Sequence, residues 1–165
     1  MDYSYFHYPS PIGILKIKFK KEGIIGISFP AAEKNINCKD EYLRDSDLFL
    51  YKEIFDELNA YFLGRLRNFQ VPLLLQGTEF QIKVWKELLN IPYGEIATYG
   101  DIARAIGIPM GARAVGNANH NNRIAIIIPC HRVVGANGCL TGYAGGLERK
   151  KWLLAHEKKY RKGGI

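Results

Sequence analysis

The spacing of apolar residues changes once along this chain, from every second residue to helical spacing, and this change limits the possible folds. In GILKIKFKKEGIIGISF, residues 13–29, apolar residues alternate with basic ones, stop at Lys20 and then resume. This pattern predicts a β-hairpin, which an earlier strand at residues 3–8 would extend into a small sheet. The later segment LFLYKEIFDELNAYFLG has helical spacing and ends at Gly64, a suitable helix end. These patterns therefore predict that residues 1–72 form an α/β domain with an antiparallel sheet.

A connector (RNFQVPLLLQG) follows, and its apolar centre favours a packed segment. The second half of the chain then begins with a helix-start signal. Thr78 as N-cap and Gln81 at the third helical position form a capping-box pattern, and the helix should reach about Asn90. Thr98 is the expected cap of a second helix in TYGDIARAIG, and ARAVGNANH predicts a third. Two short helices around a glycine-containing turn are typical of a helix-turn-helix. We predict an α+β fold in which residues 73–165 form a mostly helical second domain.

The predicted third helix has a small and polar outer face. Helical spacing places Arg113, Asn117 and His120 on this face. The residues expected to face inward are Ala114, Val115 and Ala118. Three further positions, Gly111, Ala112 and Gly116, carry almost no side chain, so the helix could approach a nucleic-acid backbone closely. An ordinary surface helix has the same pattern, and the segment alone does not decide between these interpretations.

Charge and cysteine content limit the cellular setting and the partners. The 165 residues carry a formal net charge of +7, which favours polyanionic partners such as nucleic acid or an acidic membrane surface. We expect no membrane span, because no apolar run is long enough. Three cysteines without a C-x-x-C pair indicate reduced thiols and a cytoplasmic protein, or a nuclear one in a eukaryote. The histidines and cysteines lack metal-ligand spacing, so we predict neither a metal nor a cofactor.

A cysteine stands directly behind a run without polar alternation, in IIIPCHRVVG. Ile124–Ile128 is expected to be a fully buried strand, with Cys130 at its end. A small core residue is the simplest interpretation of Cys130. A nucleophile would need a base, and His131 is adjacent. Because neighbours in an extended chain point to opposite faces, a relay through water is favoured over a direct thiol–imidazole bond.

The last predicted helix supplies a possible partner for that histidine. Glu157 continues the helical stripe of Leu147 and Leu154, which we expect to be buried. A buried carboxylate needs a partner and could orient His131. The alternative is an i, i+4 ion pair between Glu157 and Arg161 at a frayed helix end.

Several motifs together resemble one family. IPCHRVVG, GYAGG and KKWLLAHE, with YGEIATYGDIA and ARAVGNANHNN upstream, are similar to the methylated-DNA–protein-cysteine methyltransferases, or O6-alkylguanine-DNA alkyltransferases. The resemblance runs from about Gly77 to Glu157, and the cysteine motif is highly specific. It implies a ribonuclease H-like first domain and a DNA-binding, catalytic second domain. It also implies a monomer that acts on double-stranded DNA containing O6-alkylguanine and leaves activity on O4-alkylthymine open.

The resemblance implies a role for each matching residue in the irreversible transfer. Cys130 would take the alkyl group, His131 would deprotonate it through a water, and Glu157 would hold His131. Asn122 would brace the turn that carries the cysteine. The base would be extruded from the duplex into a pocket. Tyr99 would contact the base and help protonate it, and Tyr143 would pack on its face. The edge of the base would be bound by the main chain of Cys130, Val133 and Ala144. Arg113 would fill the gap left in the duplex, while four small residues would lie along the minor groove: Gly111, Ala112, Ala114 and Gly116.

The sequence differs from the family pattern at two points, and two other functions remain as alternatives. Some members hold zinc in the first domain, but Cys38 and His7 alone do not reproduce that ligand set. Ala144 stands where other members carry serine, which leaves tolerance for bulky alkyl groups open. The chain could instead be a non-catalytic binder of lesions or promoters, although such relatives replace the reactive cysteine. A cysteine hydrolase that uses Cys130, His131 and Glu157 would leave the DNA-binding pattern unexplained.

Overall fold

The chain forms two compact units, Met1–Leu75 and Gln76–Ile165, in a computed structural model that describes residues 2–31, 36 and 41–162. The predicted domain boundary, between residues 72 and 73, is close to this division. The units differ in charge: the first contains ten basic and ten acidic residues, and the second contains thirteen basic and six acidic residues. The whole net charge of +7 is therefore carried by the second unit, which is the one suited to a polyanionic partner.

A three-stranded antiparallel sheet and one helix form the first unit. Strands β1 (Ser4–Ser10), β2 (Gly13–Lys20) and β3 (Gly23–Ser28) lie in that order. Phe6, Ile17 and Ile27 pair across the strands on the buried face. Helix α1 (Leu48–Phe62) packs aromatic side chains against this face, with the ring of Tyr51 4.8 Å from that of Phe6. The predicted hairpin, the earlier strand and the helix that ends near Gly64 are confirmed.

The connector after α1 is packed against the first unit, as its apolar centre indicates. The backbone NH of Ile24 donates to the carbonyl of Pro72 at 2.9 Å, and the NH of Leu74 donates to the carbonyl of Ile24 at 2.8 Å. Gly23 lies directly under this contact with a φ of 154°, and a Cβ atom there would lie 2.8 Å from the Pro72 carbonyl oxygen. Glycine is required at this position because the connector approaches so closely.

Helices dominate the second unit. Helix α2 (Glu79–Leu88) begins at the predicted capping box of Thr78 and Gln81. Strand β4 (Ala97–Thr98) leads directly into α3 (Tyr99–Ala105), and α4 (Ala112–His120) follows. Helices α2, α3 and α4 contact one another, and the indole NH of Trp85 donates to the carbonyl of Ala118 at 2.8 Å. The predicted helix-turn-helix, formed by α3 and α4, is confirmed.

A two-residue parallel pairing connects this helical group to the cysteine segment. Strand β5 (Val133–Val134) pairs with β4, and Ala97 lies opposite Val133. This pairing places the start of α3 next to Val133 and Val134, three and four residues after Cys130. Helix α5 (Leu147–Arg161) completes the unit. No helix in the described part of the chain combines the length and apolarity needed to cross a membrane.

Two predictions about buried helix faces are wrong. On α4, Ala114 is exposed, and Asn119 is buried next to Val115 and Ala118. Ala114 lies one residue outside the stripe that faces α2, so helical rotation turns it toward solvent. On α5, Leu147 is exposed and Leu154 is half-buried. The buried stripe instead consists of Lys150, Leu153, His156 and Glu157, because two long polar side chains find buried partners.

Candidate active site

The run before Cys130 is buried but is not a strand, so that prediction is wrong. The NH of Ile127 donates to the carbonyl of Ala125 at 2.9 Å and the NH of Ile128 to that of Ile124 at 3.1 Å, which folds the run into turns. Ile126 has a φ of 72°, in the left-handed region that a β-branched residue rarely adopts. An all-apolar run predicts burial but not the conformation of the buried backbone.

Asn122 supplies the hydrogen bonds that hold these turns. Its side-chain oxygen accepts from the NH of Ile124 at 3.0 Å, and its amide nitrogen donates to the carbonyl of Ile128 at 3.0 Å and to that of Ile124 at 3.4 Å. A single side chain therefore satisfies backbone groups that a strand would have paired. This geometry fits the bracing role implied for Asn122.

The segment Cys130–Arg132 forms one turn of 3-10 helix in which all three residues are buried. Cys130 and His131 therefore lie in a turn. The argument that neighbours in an extended chain point to opposite faces does not apply to them. The Nε2 atom of His131 is nevertheless 2.8 Å from Oε1 of Glu157, and its Nδ1 atom has no hydrogen-bond partner among the described residues. The structure brings His131 and Glu157 together without a direct thiol–imidazole bond.

Arg132 completes this network through a contact with Glu157 that was not predicted from the sequence, although Arg132 was identified there as a positive charge next to His131. Its Nε and Nη2 atoms donate to the two carboxylate oxygens of Glu157 at 2.8 and 2.9 Å, and Nη1 donates to the carbonyl of Ile91 at 2.7 Å. The NH of Gly94 also donates to Glu157, at 3.3 Å. Glu157 is fully buried against His131 and Arg132, which contradicts the alternative of a carboxylate at a frayed helix end.

The charges of this network identify the basic nitrogen of the histidine. Burial alone would raise the pKa of Glu157, but His131 and Arg132 outweigh burial and hold this pKa well below its ordinary value. Burial lowers the pKa of His131, against the opposing effect of Glu157, so the imidazole is neutral. An ionised carboxylate can only accept hydrogen bonds, so Nε2 carries the proton and Nδ1 carries the free lone pair.

Cys130 is a protonated thiol in this environment. Burial raises its pKa, and a hydrogen bond from Asn122 and the positive charge of Lys150 offset only part of the rise. A thiol becomes a useful nucleophile only after it loses its proton. To act as a nucleophile, Cys130 would therefore need a base such as the neutral His131.

Lys150 is a second buried residue that sequence reasoning missed. Its Nζ atom donates to the carbonyls of Val133 and Thr141, at 2.5 and 2.9 Å, and burial lowers its pKa. The hydroxyl of Tyr99 donates to the same Thr141 carbonyl at 3.1 Å. The glycine-rich loop is thus attached both to α3 and to α5. A stripe drawn through Leu153 and Glu157 would have included Lys150.

The other residues implied for the base pocket lie at different depths. Tyr143 is buried, and burial raises the pKa of its hydroxyl, whereas Ala144 is exposed. Val133 is buried, and its carbonyl already accepts from Lys150. The carbonyl of Cys130 accepts from the Nδ2 atom of Asn119 at 3.4 Å, a contact the sequence did not predict.

The outer face of α4 fits an anionic partner. Arg113, Asn117 and His120 are exposed, as predicted. No aspartate or glutamate occurs in residues 102–147, which include the whole helix. A Cβ atom on Gly116 would lie 3.7 Å from the ring of Tyr99, so this glycine also faces Tyr99.

Within the described part of the chain, no group of three or more histidine, cysteine, aspartate or glutamate residues is arranged to hold a metal ion. His7 belongs to that part, whereas Cys38 lies outside the described residues.

Both units match models of one family. The model described as 6-O-methylguanine DNA methyltransferase, ribonuclease-like domain, matches residues 3–75, and the model described as 6-O-methylguanine DNA methyltransferase, DNA binding domain, matches residues 79–159. These two matches cover most of the chain.

Individual relatives agree with the family models. A methylated-DNA–protein-cysteine methyltransferase of Methanosarcina acetivorans is 48% identical over 153 residues, which are 93% of this chain and 97% of the relative. A protein of the same name from Mycobacterium bovis is 63% identical over 103 residues, 62% of each chain. Among solved structures, Mycobacterium tuberculosis OGT in complex with DNA is 44% identical with a TM-score of 0.81, and the match covers 94% of this chain and 93% of that one. Fold, motifs and similarity along both units agree, and the chain belongs to the 6-O-methylguanine DNA methyltransferase family.

Proposed function

We propose that this protein repairs DNA by direct reversal, with Cys130 as the irreversible acceptor of the alkyl group of O6-alkylguanine. In this reaction the Cys130 sulfur forms a bond to the alkyl carbon while the bond between that carbon and guanine O6 breaks. The observation that carries the proposal is the buried network of His131, Glu157 and Arg132 next to the cysteine.

The thiol proton leaves through His131 in this mechanism. Nδ1 of His131 carries the lone pair and has no hydrogen-bond partner within the described residues, so one water molecule between it and the Cys130 sulfur would relay the proton. Glu157 stabilises the imidazolium that forms, and Arg132 keeps Glu157 ionised. Lys150 places a further positive charge near the thiolate.

The leaving guanine needs a proton or an equivalent positive charge. The Tyr99 hydroxyl already points at the glycine-rich loop, where it donates to Thr141, and we propose that it donates to the extruded base in the complex. Tyr143 would pack on the base, and main-chain groups of Cys130, Val133 and Ala144 would bind its edge. Lys150 holds the Val133 carbonyl in place and leaves its second lone pair available.

DNA would be bound through α4. We propose that Arg113 enters the duplex in place of the extruded nucleotide, while Gly111, Ala112, Ala114 and Gly116 lie along the minor groove. The exposure of Ala114 fits this role better than the core position predicted from the sequence. Extrusion costs a few kcal/mol, which contacts in the gap and the pocket can offset. The positive second unit supplies sequence-independent attraction to phosphates.

The reaction would occur once per molecule, since the thioether product is stable to hydrolysis. The described contacts of the site all lie in one unit of one chain, so a monomer is sufficient. A reduced Cys130 is essential, which fits a reducing compartment such as the cytoplasm.

The test is the mass of the cysteine peptides after incubation with duplex DNA containing O6-methylguanine. We expect the Cys130 peptide to gain one methyl group in place of the thiol hydrogen, in proportion to the lesion consumed. Cys130→Ala should bind the duplex and accept nothing, whereas the matched variant Cys139→Ala, which removes an exposed thiol, should react normally. An unmodified Cys130 would contradict the proposal, and repeated turnover with an unmodified cysteine would favour a hydrolase.

A further inference from the structure

Met110 is an apolar side chain that the fold leaves almost entirely in solvent. It is 95% exposed, the most exposed of the large apolar residues described. It lies between α3 and α4 in a tight turn, where the NH of Gly111 donates to the carbonyl of Ile108 at 2.7 Å. Turn positions after a proline usually carry small or polar residues, so the turn itself does not require methionine.

The usual structural reason for an apolar residue at this place does not apply. Met110 directly precedes Gly111, the N-cap of α4, and could form a hydrophobic staple with Val115, the fourth residue of the helix. Val115 is fully buried, however, while Met110 points into solvent. Met110 therefore does not stabilise the start of α4.

The turn presents Met110 from a braced backbone. A Cβ atom on Gly111 would lie 2.5 Å from Cδ1 of Ile108, so the Ile108 side chain fills the space directly over Gly111. Pro109 fixes one backbone angle of the turn. Because the backbone of the turn is held, only the side chain of Met110 has to lose freedom when a partner binds, which limits the entropy lost on binding.

The surroundings of Met110 indicate the chemistry of that partner. Met110 is three residues before Arg113, which the proposed function places inside the duplex. The turn and α4 lie within the segment 102–147, which lacks acidic residues. A cationic, acid-free surface that continues the proposed DNA-binding helix favours DNA over a protein partner.

We propose that Met110 enters the minor groove as a second, apolar wedge, against the sugar edges and the base pair next to the gap that Arg113 fills. Apolar side chains in the minor groove commonly press between base steps and open them. Methionine suits this contact because its unbranched chain adapts to irregular surfaces. The proposal rests on the proposed function, since it takes the position of Arg113 from it.

The test compares three variants with the wild type on two substrates. Met110→Gln keeps the length of the side chain and removes its apolar character, and Met110→Leu restores that character. Leu89→Gln is the matched control, because Leu89 is 43% exposed at the end of α2. The readouts are the rate of Cys130 methylation by duplex DNA containing O6-methylguanine, the same rate with free O6-methylguanine, and fluorescence anisotropy on an undamaged duplex.

For Met110→Gln we expect about a tenfold loss of duplex affinity and of the rate on duplex DNA, which corresponds to burial of roughly half of a methionine side chain. The rate with free O6-methylguanine should not change. Met110→Leu should stay within about twofold of the wild type, by the same burial argument, and Leu89→Gln should match the wild type. An equal loss on the free base would overturn the proposal, since it would make Met110 part of the pocket. An unchanged duplex affinity or an equal loss in Leu89→Gln would also overturn it.

The two proposals can fail separately. If the wild-type protein does not methylate Cys130, the proposed function fails. Anisotropy of Met110→Gln on undamaged DNA still decides whether Met110 contacts the duplex, because that measurement requires no reaction.

Discussion

Glu157→Gln should destabilise the protein more than any exposed charge substitution on the same helix. The fully buried carboxylate accepts hydrogen bonds at 2.8 Å from His131, 2.8 and 2.9 Å from Arg132, and 3.3 Å from Gly94. An amide leaves the buried guanidinium of Arg132 without a counterion and turns an NH₂ group toward other donors. Removal of one partner of a buried ion pair costs about 3–5 kcal/mol. We expect a loss of this size in the free energy of unfolding at pH 7, measured by urea denaturation.

The matched control is Glu148→Gln on the same helix. The side chain of Glu148 is 90% exposed and pairs with Lys151 at 3.3 Å, so its replacement should change the free energy of unfolding by less than about 0.5 kcal/mol.

The difference between the wild type and Glu157→Gln should also depend on pH. The pKa of Glu157 in the folded protein lies below its unfolded value, so the unfolded chain takes up a proton first as the pH falls. The stability that Glu157 supplies is present above about pH 5 and is lost toward lower pH, by up to about 1.4 kcal/mol per pH unit. The gap between the two proteins should therefore narrow by about 2 kcal/mol between pH 5 and pH 3 and should continue to narrow below that range. A gap below about 1 kcal/mol at pH 7, or one that is constant with pH, would refute this account of the buried network.

A double variant separates stability from chemistry. Glu157→Gln combined with Arg132→Met removes both charges of the pair, and such replacements are often close to neutral for stability. The methylation rate should remain about a hundredfold or more below that of the wild type, because a neutral amide does not stabilise an imidazolium. Recovery of both properties would mean that Glu157 serves only to neutralise Arg132.

Two further variants test the surroundings of the cysteine. Lys150→Met should raise the pKa of Cys130 further, since it removes a nearby positive charge. Titration of the thiolate ultraviolet absorbance measures this change. An unchanged thiol titration would exclude an electrostatic role for Lys150. Asn122→Ala removes three side-chain hydrogen bonds to the turns before Cys130. Urea denaturation should show a free energy of unfolding lower by about 2–4 kcal/mol. A loss below about 1 kcal/mol would mean that the turns hold without this side chain.

Local signals in the sequence predicted much of the fold. The bounds of α4 agree with the predicted helix ARAVGNANH, and α2 begins at the capping box of Thr78 and Gln81. Such signals are reliable because both partners of each hydrogen bond lie within a few residues of one another. The capping box at Thr98 and Asp101 carries the same kind of signal, and only its first residue was identified.

Contacts between distant segments explain what the sequence did not reveal. The all-apolar run Ile124–Ile128 predicted burial correctly and conformation wrongly, since the side chain of Asn122 decides the turns. Glu157 was placed inward through a stripe with Leu147, although the structure aligns it with Lys150 and Leu153. Arginine and lysine are usually exposed, and no periodicity marks the rare buried ones. Arg132 and Lys150 are buried only because their partners are supplied by other segments.

The left-handed Ile126 links the reactivity of the cysteine to the folding of the whole unit. A φ of 72° is unfavourable for isoleucine, so the surrounding packed side chains must impose it. Ile126 is almost completely buried, and this burial acts together with the hydrogen bonds of Asn122 to Ile124 and Ile128 to hold its backbone. A chain with a loosened core would keep its cysteine but lose the turn that aims it. Under the proposed function, the nucleophile would therefore be assembled only as the core closes, and a partly unfolded molecule would carry an ordinary thiol.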